Sequence, residues 1–137
     1  MKIVLERKND AVHFEAKNED GITVNIDGSP EIGGQNLGVR PMQLLLMGLG
    51  GCSGIDLKII LRREPITDIK ITIDAERQKD VEPSLFEKIH VHFDLFGALN
   101  PKKVERAVSL SMDKYCSVAK TLEKTATITY SHSIITE

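Results

Sequence analysis

Apolar and polar side chains alternate with a period of two early in the chain. Val12, Phe14 and Ala16 are interleaved with His13 and Glu15, and Ile22, Val24 and Ile26 with Thr23 and Asn25. That period marks half-buried strands, and Asp20-Gly21 between the runs is a hairpin turn signal. Residues 27–40 carry four glycines and Pro30 without any period, which predicts a mobile loop; long aperiodic loops in compact domains are often functional. Over residues 42–63 the pattern changes. Leu44, Leu45, Leu46, Met47, Leu49, Ile55, Leu57, Ile59, Ile60 and Leu61 cover nearly every face of a helix, and a helix apolar all round is a buried, central one. Pro41 suits its first position, Arg62 and Arg63 suit its C-terminal dipole end, and Glu64-Pro65 stops it.

The period of two then returns. Ile69, Ile71, Ile73 and Ala75 form one apolar strand face, and Ile89, Val91, Phe93 and Leu95 another. The opposite faces carry Lys70, Thr72, Asp74, Lys88, His90, His92 and Asp94, so this sheet has a wet side. Asn100-Pro101 reads as a cap followed by a first-turn proline, opening a helix with Val104, Ala107, Val108, Ser111, Met112 and Tyr115 on one stripe. Asp113 is a cap for a further short helix holding Cys116, Val118, Ala119 and Leu122, and residues 127–135 close the chain as a strand. The order predicts an α+β domain over residues 1–137, with antiparallel sheets wrapped around a long buried central helix.

Composition narrows the functional classes. The chain has 137 residues, 41% hydrophobic and 28% charged, which is ordinary globular material for one domain. Aromatic content is 4% with no Trp, so Leu, Ile, Val and Met must build the core. Eighteen basic and 20 acidic side chains give a net charge of −2 without a Lys/Arg block, which argues against a nucleic-acid partner. The apolar run at the N-terminus is too short for a secretory signal. The uncharged stretch 42–55 falls short of the roughly 20 apolar residues of a membrane span. The expectation is a cytoplasmic protein without a membrane partner, whose two cysteines are free, metal-bound or redox-active rather than a structural disulfide.

Those cysteines and the residues beside them carry the candidate chemistry. Gly48, Gly50, Gly51 and Gly54 surround Cys52, and each glycine in a helix costs about 0.8–1 kcal/mol relative to Ala. Something must approach the backbone closely to offset that, either a packing neighbour from the same chain or a second subunit, or a substrate reaching the thiol. Cys52 lies about three turns into its own helix, so that dipole helps it little, and Asp56 disfavours a thiolate there. A cation would have to come from elsewhere, and Arg7 and Arg40 are the only arginines that precede Cys52. Cys116, near a helix start and between Lys114 and Lys120, is locally the better activated thiol. Taken alone, each cysteine reads as a buried, inert residue slightly more often than as a reactive one. His90 and His92 make at most half a metal site and read as a solvent-facing pair. Ser53 stands in no Gly-x-Ser-x-Gly turn, and Gly48-x-Gly50-Gly51 opens no nucleotide-binding unit. Neither a metal-ligand set nor a cofactor is read from the chain.

The run from Pro41-Met42-Gln43-Leu44 through Gly50-Gly51-Cys52-Ser53-Gly54-Ile55-Asp56 resembles the first cysteine motif of the OsmC/Ohr family, the osmotically inducible protein C and organic hydroperoxide resistance proteins. Tyr115-Cys116-Ser117-Val118-Ala119 resembles the second, and the order of elements agrees. The resemblance implies the OsmC-like fold as an intertwined homodimer with buried central helices. It implies a thiol peroxidase acting on small organic hydroperoxides: Cys52 attacks the peroxide, Cys116 resolves the sulfenic acid to a disulfide, and an external thiol reduces it. Peroxidase members carry Pro-Glu-Gln-Leu where this chain has Met42, and Cys-Pro where it has Cys116-Ser117. The family's active-site arginine comes from the N-terminal strands, which makes Arg7 the candidate and Arg40 the alternative; with Met42 and Gly51 they form the expected substrate side. These departures resemble the OsmC-like redox-protein branch. They leave a rival: a non-catalytic dimeric module holding a small hydrophobic ligand in the glycine-lined crevice, with inert cysteines.

Overall fold

The computed structural model describes residues 1–136 and falls into two compact units, Met1–Met47 and Gly48–Glu137. The first unit carries β1 (Val4–Arg7), β2 (Phe14–Lys17) and β3 (Thr23–Ile26), paired in that order as an antiparallel sheet. Asparagines organise both hairpin turns. Asn9 Oδ1 accepts from the amides of Ala11 and His13, and Asn18 Oδ1 from those of Asp20 and Ile22. Gly21 takes the left-handed position at φ +81°, where a Cβ would be strained. The strands are short and their apolar residues Val4, Leu5, Phe14 and Val24 are exposed.

The aperiodic segment after β3 is built around one residue that the sequence reading passed over. Asp27 is buried, with both carboxylate oxygens engaged: one accepts from the amide of Gly28, the other from those of Gln35 and Leu37 at 3.0 Å each. The amide of Leu37, then that of Gln35, stabilise the anion and hold its pKa below the ordinary 3.8, against a smaller upward push from burial. A carboxyl whose folded pKa is depressed stabilises the fold above its unfolded pKa and loses that contribution as pH falls through the folded value. The loop therefore holds at neutral pH and loosens only under acid. Asp27→Asn puts an amide donor among these amides, so exchange at Gln35 and Leu37 should quicken by about tenfold or more, read by hydrogen exchange. Unchanged protection would remove Asp27 as the organiser.

The second unit holds β4 (Asp68–Arg77), β5 (Phe86–Phe96) and β6 (Thr127–Ile135), with β5 in the centre. Along β5 the side chains of Ile89, Val91, Phe93 and Leu95 are buried, while His90, His92 and Asp94 on the other face are not. The histidines expected to face solvent are half-buried and bonded across to β6: His90 to Thr129 and Ser131, and His92 to Ser131. The sheet is not wholly antiparallel, as the strand pattern suggested. β4 and β5 are antiparallel, but β6 runs parallel to β5, because the chain crosses back through helices before entering β6 and so starts from the same end. The crossover contains α2 (Pro101–Leu110), a π-helical turn (Ser111–Tyr115) and α3 (Ser117–Leu122). Asn100 caps α2 as expected, its side chain accepting from the amides of Lys102 and Lys103. Val104, Ala107 and Val108 are buried.

The long helix, α1 (Pro41–Ile60), buries only the stripe Leu49, Ser53 and Leu57. Leu45, Met47, Ile55 and Ile59 are exposed, the last two at 63% and 59%. The expected burial on every face is thus not reached in the single chain. Its spacing of four residues puts Leu49, Ser53 and Leu57 on one side, and the other apolar rows lie open.

Candidate functional site

Two features create the site. The first is spacing: Cys52 and Asp56 stand one turn apart on α1, so their side chains share a face. The second is a break in helical structure. The π-helical turn lets the chain break at Cys116, whose backbone is extended (φ −71°, ψ 102°), before α3 begins. Cys116 itself caps α3, its sulfur accepting from the amide of Ala119 at 3.4 Å. This corrects the assignment of Asp113 as the cap: Asp113 accepts instead from the hydroxyl of Tyr130 at 2.9 Å. The result brings Cys52 Sγ, Cys116 Sγ and a carboxylate oxygen of Asp56 all within 4.8 Å of one another. Ser117 Oγ lies 3.9 Å from Cys52 Sγ, and the buried Ser111 hydroxyl donates to Asp56 Oδ2 at 3.0 Å. Cys116 is fully buried and Cys52 half-buried.

These surroundings separate the thiols electrostatically. At Cys52, burial raises the pKa, but the amide of Val118, the Cys116 thiol, and the hydroxyl and amide of Ser117 together outweigh it, leaving the group below its ordinary value. Cys116 is pushed up to about 11, first by burial and further by its neighbour Cys52, against the amide of Ala119. This order is the reverse of the one the local sequence suggests: the helix start at 116 favours Cys116 by position, but the first amides of α3 serve the sulfur opposite, on α1. Iodoacetamide should therefore label Cys52 first at neutral pH, with a midpoint below that of an ordinary thiol, while Cys116 stays largely unlabelled. Ser117→Ala should move the Cys52 midpoint upward, read by mass spectrometry of the labelled peptides across pH. Equal labelling of the two would contradict the asymmetry.

The glycines of α1 now have specific neighbours. A Cβ on Gly54 would lie 2.9 Å from Ile71 Cδ1, and one on Gly50 3.2 Å from Ile73 Cδ1, so the ends of these two β4 side chains rest against the bare backbone of the helix. Gly48 faces Val118 of α3 at 4.0 Å, and Gly51 faces open space. Alongside runs an open groove of about 620 Å³, lined by Gly50, Gly51, Gly54, Ile55, Ile59 and Ile71 among others. Of the residues named from sequence, Gly51, Cys52 and Cys116 belong to this unit, and the two cysteines come together. Arg7, Arg40 and Met42 belong to the first unit. Arg7 is exposed at the end of β1 opposite Phe14. Arg40 donates to the Gly38 carbonyl and to Asn36 Oδ1, and Met42 is half-buried in the first turn of α1. The sequence reading missed Ser111 and Ser117, and weighed Asp56 only as an unfavourable charge.

The family model for OsmC-like protein matches residues 33–131. Protein YhfA of Escherichia coli K12 is 43% identical over 98 residues, spanning 69% of this chain and 72% of that protein. The chain belongs to the OsmC-like family. A hypothetical protein of Aquifex aeolicus VF5 superposes with a TM-score of 0.85 at 31% identity, over 99% of this chain and 96% of that one. The organic hydroperoxide resistance protein OsmC of Legionella pneumophila shares the fold, with a TM-score of 0.72 at 16% identity over 97% of each chain. Within this OsmC-like chain, the departure at Ser117 acquires a physical meaning. Proline at that first helical position has no N–H, whereas Ser117 offers both an amide and a hydroxyl to Cys52.

Proposed function

We propose that the chain is a thiol-dependent peroxidase-like protein that reduces small organic hydroperoxides through Cys52 and Cys116. The observation that carries this reading is the pair of sulfurs lying within 4.8 Å, one favoured as thiolate and the other holding its proton. The Cys52 thiolate attacks the terminal peroxide oxygen; the S–O bond forms, the O–O bond breaks, and the leaving alkoxide takes a proton to become the alcohol. The Cys116 sulfur then attacks Cys52 sulfenic acid; the S–S bond forms, and hydroxide leaves with the Cys116 proton as water. An external dithiol returns both cysteines to thiols. No cofactor takes part. Structural relatives named organic hydroperoxide resistance proteins support the substrate class.

The working form is a homodimer. The exposed aliphatic rows of α1 and the thinly covered sheet β1–β3 are surfaces that a second copy would bury; a monomeric mass by light scattering would remove this part. α1 has the length and mean hydropathy, 20 residues and 1.3, of a membrane-crossing helix. Its seating on β4 through Gly50 and Gly54, and the Asp56–Ser111 bond, favour a core helix of a cytoplasmic protein instead. The family pattern assigns the peroxide-side cation to Arg7 or Arg40, with Met42 and Gly51 lining the substrate; single alanine variants of the two arginines tell them apart.

The test is to mix reduced protein, a dithiol and tert-butyl hydroperoxide and to follow tert-butanol. Alcohol formed no faster than without protein sinks the peroxidase reading. The groove beside Gly51 favours a second reading, a binding module for a small hydrophobic ligand with inert cysteines. Native mass spectrometry showing a retained ligand, together with unreactive thiols, would select it.

A further inference from the structure

Cys52, Asp56 and Cys116 form a donor set as well as a redox pair. Three side chains from two separate segments place two sulfurs and one carboxylate oxygen within 4.8 Å of one another. A small divalent cation would satisfy all three donors at once, the thiols giving up their protons as it binds. Tetrahedral Zn²⁺, with Zn–S near 2.3 Å, sets its sulfurs about 3.8 Å apart. Rotamer adjustments of about an ångström therefore close this set around an ion. Thiolates select zinc-like and softer ions over Mg²⁺ or Ca²⁺. The outer support already exists: the fully buried Ser111 hydroxyl holds Asp56 Oδ2, which orients the carboxylate and leaves its other oxygen available. Such orienting bonds typically accompany metal ligands. Cys116 is fully buried, while Cys52 and Asp56 are half-exposed, so the cation has an entry side and a fourth position open to water.

We propose that the reduced site binds one Zn²⁺-like cation through Cys52 Sγ, Cys116 Sγ and an Asp56 carboxylate oxygen, and that the bound ion withholds both thiols from oxidation. Two metal–sulfur bonds form, and the thiol protons leave to solvent. Neither sulfur changes oxidation state. Conversely, a disulfide between the same sulfurs removes both thiolate ligands, so loading and oxidation exclude each other. The inference does not depend on peroxidase chemistry, because a chain inert toward peroxides would bind the ion equally.

Cd²⁺ is the probe, since a cadmium–thiolate bond absorbs in the ultraviolet. Titrated into reduced, metal-free protein, Cd²⁺ should produce a charge-transfer band that saturates at one ion per chain. Cys52→Ser and Cys116→Ser should each weaken binding by about 100-fold or more, and Asp56→Asn by about 10- to 100-fold with the band retained. Zn²⁺ should displace the band and slow iodoacetamide labelling of Cys52. Wild-type protein whose accessible Cys52 is blocked by methyl methanethiosulfonate should bind as weakly as Cys52→Ser, a control that needs no substitution. A band that never saturates, or one equally strong in Cys52→Ser, means an adventitious ion only and overturns the proposal. Unchanged affinity in Asp56→Asn overturns the three-ligand assignment.

Discussion

Cys52→Ser should abolish all protein-dependent consumption of organic hydroperoxide, leaving only the slow reaction of the dithiol itself. A serine hydroxyl on α1 is not appreciably ionised at neutral pH, and the amides of Ser117 and Val118 that favour the Cys52 thiolate cannot bring it into that range. Cys116→Ser should behave differently. The first attack on peroxide proceeds, because the same amides still face Cys52. Resolution then fails, the sulfenic acid persists, and a second equivalent drives it to sulfinic acid, beyond the reach of ordinary thiols. Turnover thus collapses in both variants, while the first, single oxidation collapses only in Cys52→Ser. Stopped-flow measurement of one equivalent of peroxide separates them, and identical single-turnover rates for the two variants would contradict the assigned roles.

Phe93→Ala should destabilise the second unit by about 3–5 kcal/mol. Phe93 is fully buried at the middle of β5, with Ile71 of β4 and His132 of β6 as its register partners. Truncation removes the largest fully buried side chain and leaves a cavity that strands paired on both edges cannot easily collapse. The loss is a large part of the 5–15 kcal/mol that holds most domains folded. At a typical slope it lowers the urea midpoint by about 2 M. A shift of only a few tenths of a molar would mean that the sheet repacks, and that β5 is less rigid than its two neighbours suggest.

Much of this architecture was legible because its determinants are local. Period-two alternation located β4 and β5, and Asn100-Pro101 marked the start of α2 through a cap that depends only on adjacent residues. The four-residue spacing of Cys52 and Asp56 already placed them on one helix face. What was not legible is what that face meets. A helical period reports which side chains stand together, not which distant segment packs on them. The approach of Cys116, the donation from Ser117 and the bond from Ser111 were therefore hidden, and the wrong thiol looked activated. The parallel entry of β6 is likewise a property of the crossover and not of its own alternation. Asp27 escaped notice because its partners are backbone amides, which carry no residue signature. The open rows of α1 show the same limit from the other side: an apolar pattern calls for burial without saying which chain supplies the cover.

The most direct test of the central claim is a single oxidation of the wild-type chain. Reduced protein is treated with one equivalent of tert-butyl hydroperoxide, unfolded in guanidinium, blocked with iodoacetamide, digested and mapped by mass spectrometry. The account predicts one equivalent of tert-butanol and an intrachain Cys52–Cys116 disulfide, lighter than the reduced pair by two hydrogens. Recovery of both cysteines as alkylated thiols, with the peroxide intact, would contradict it.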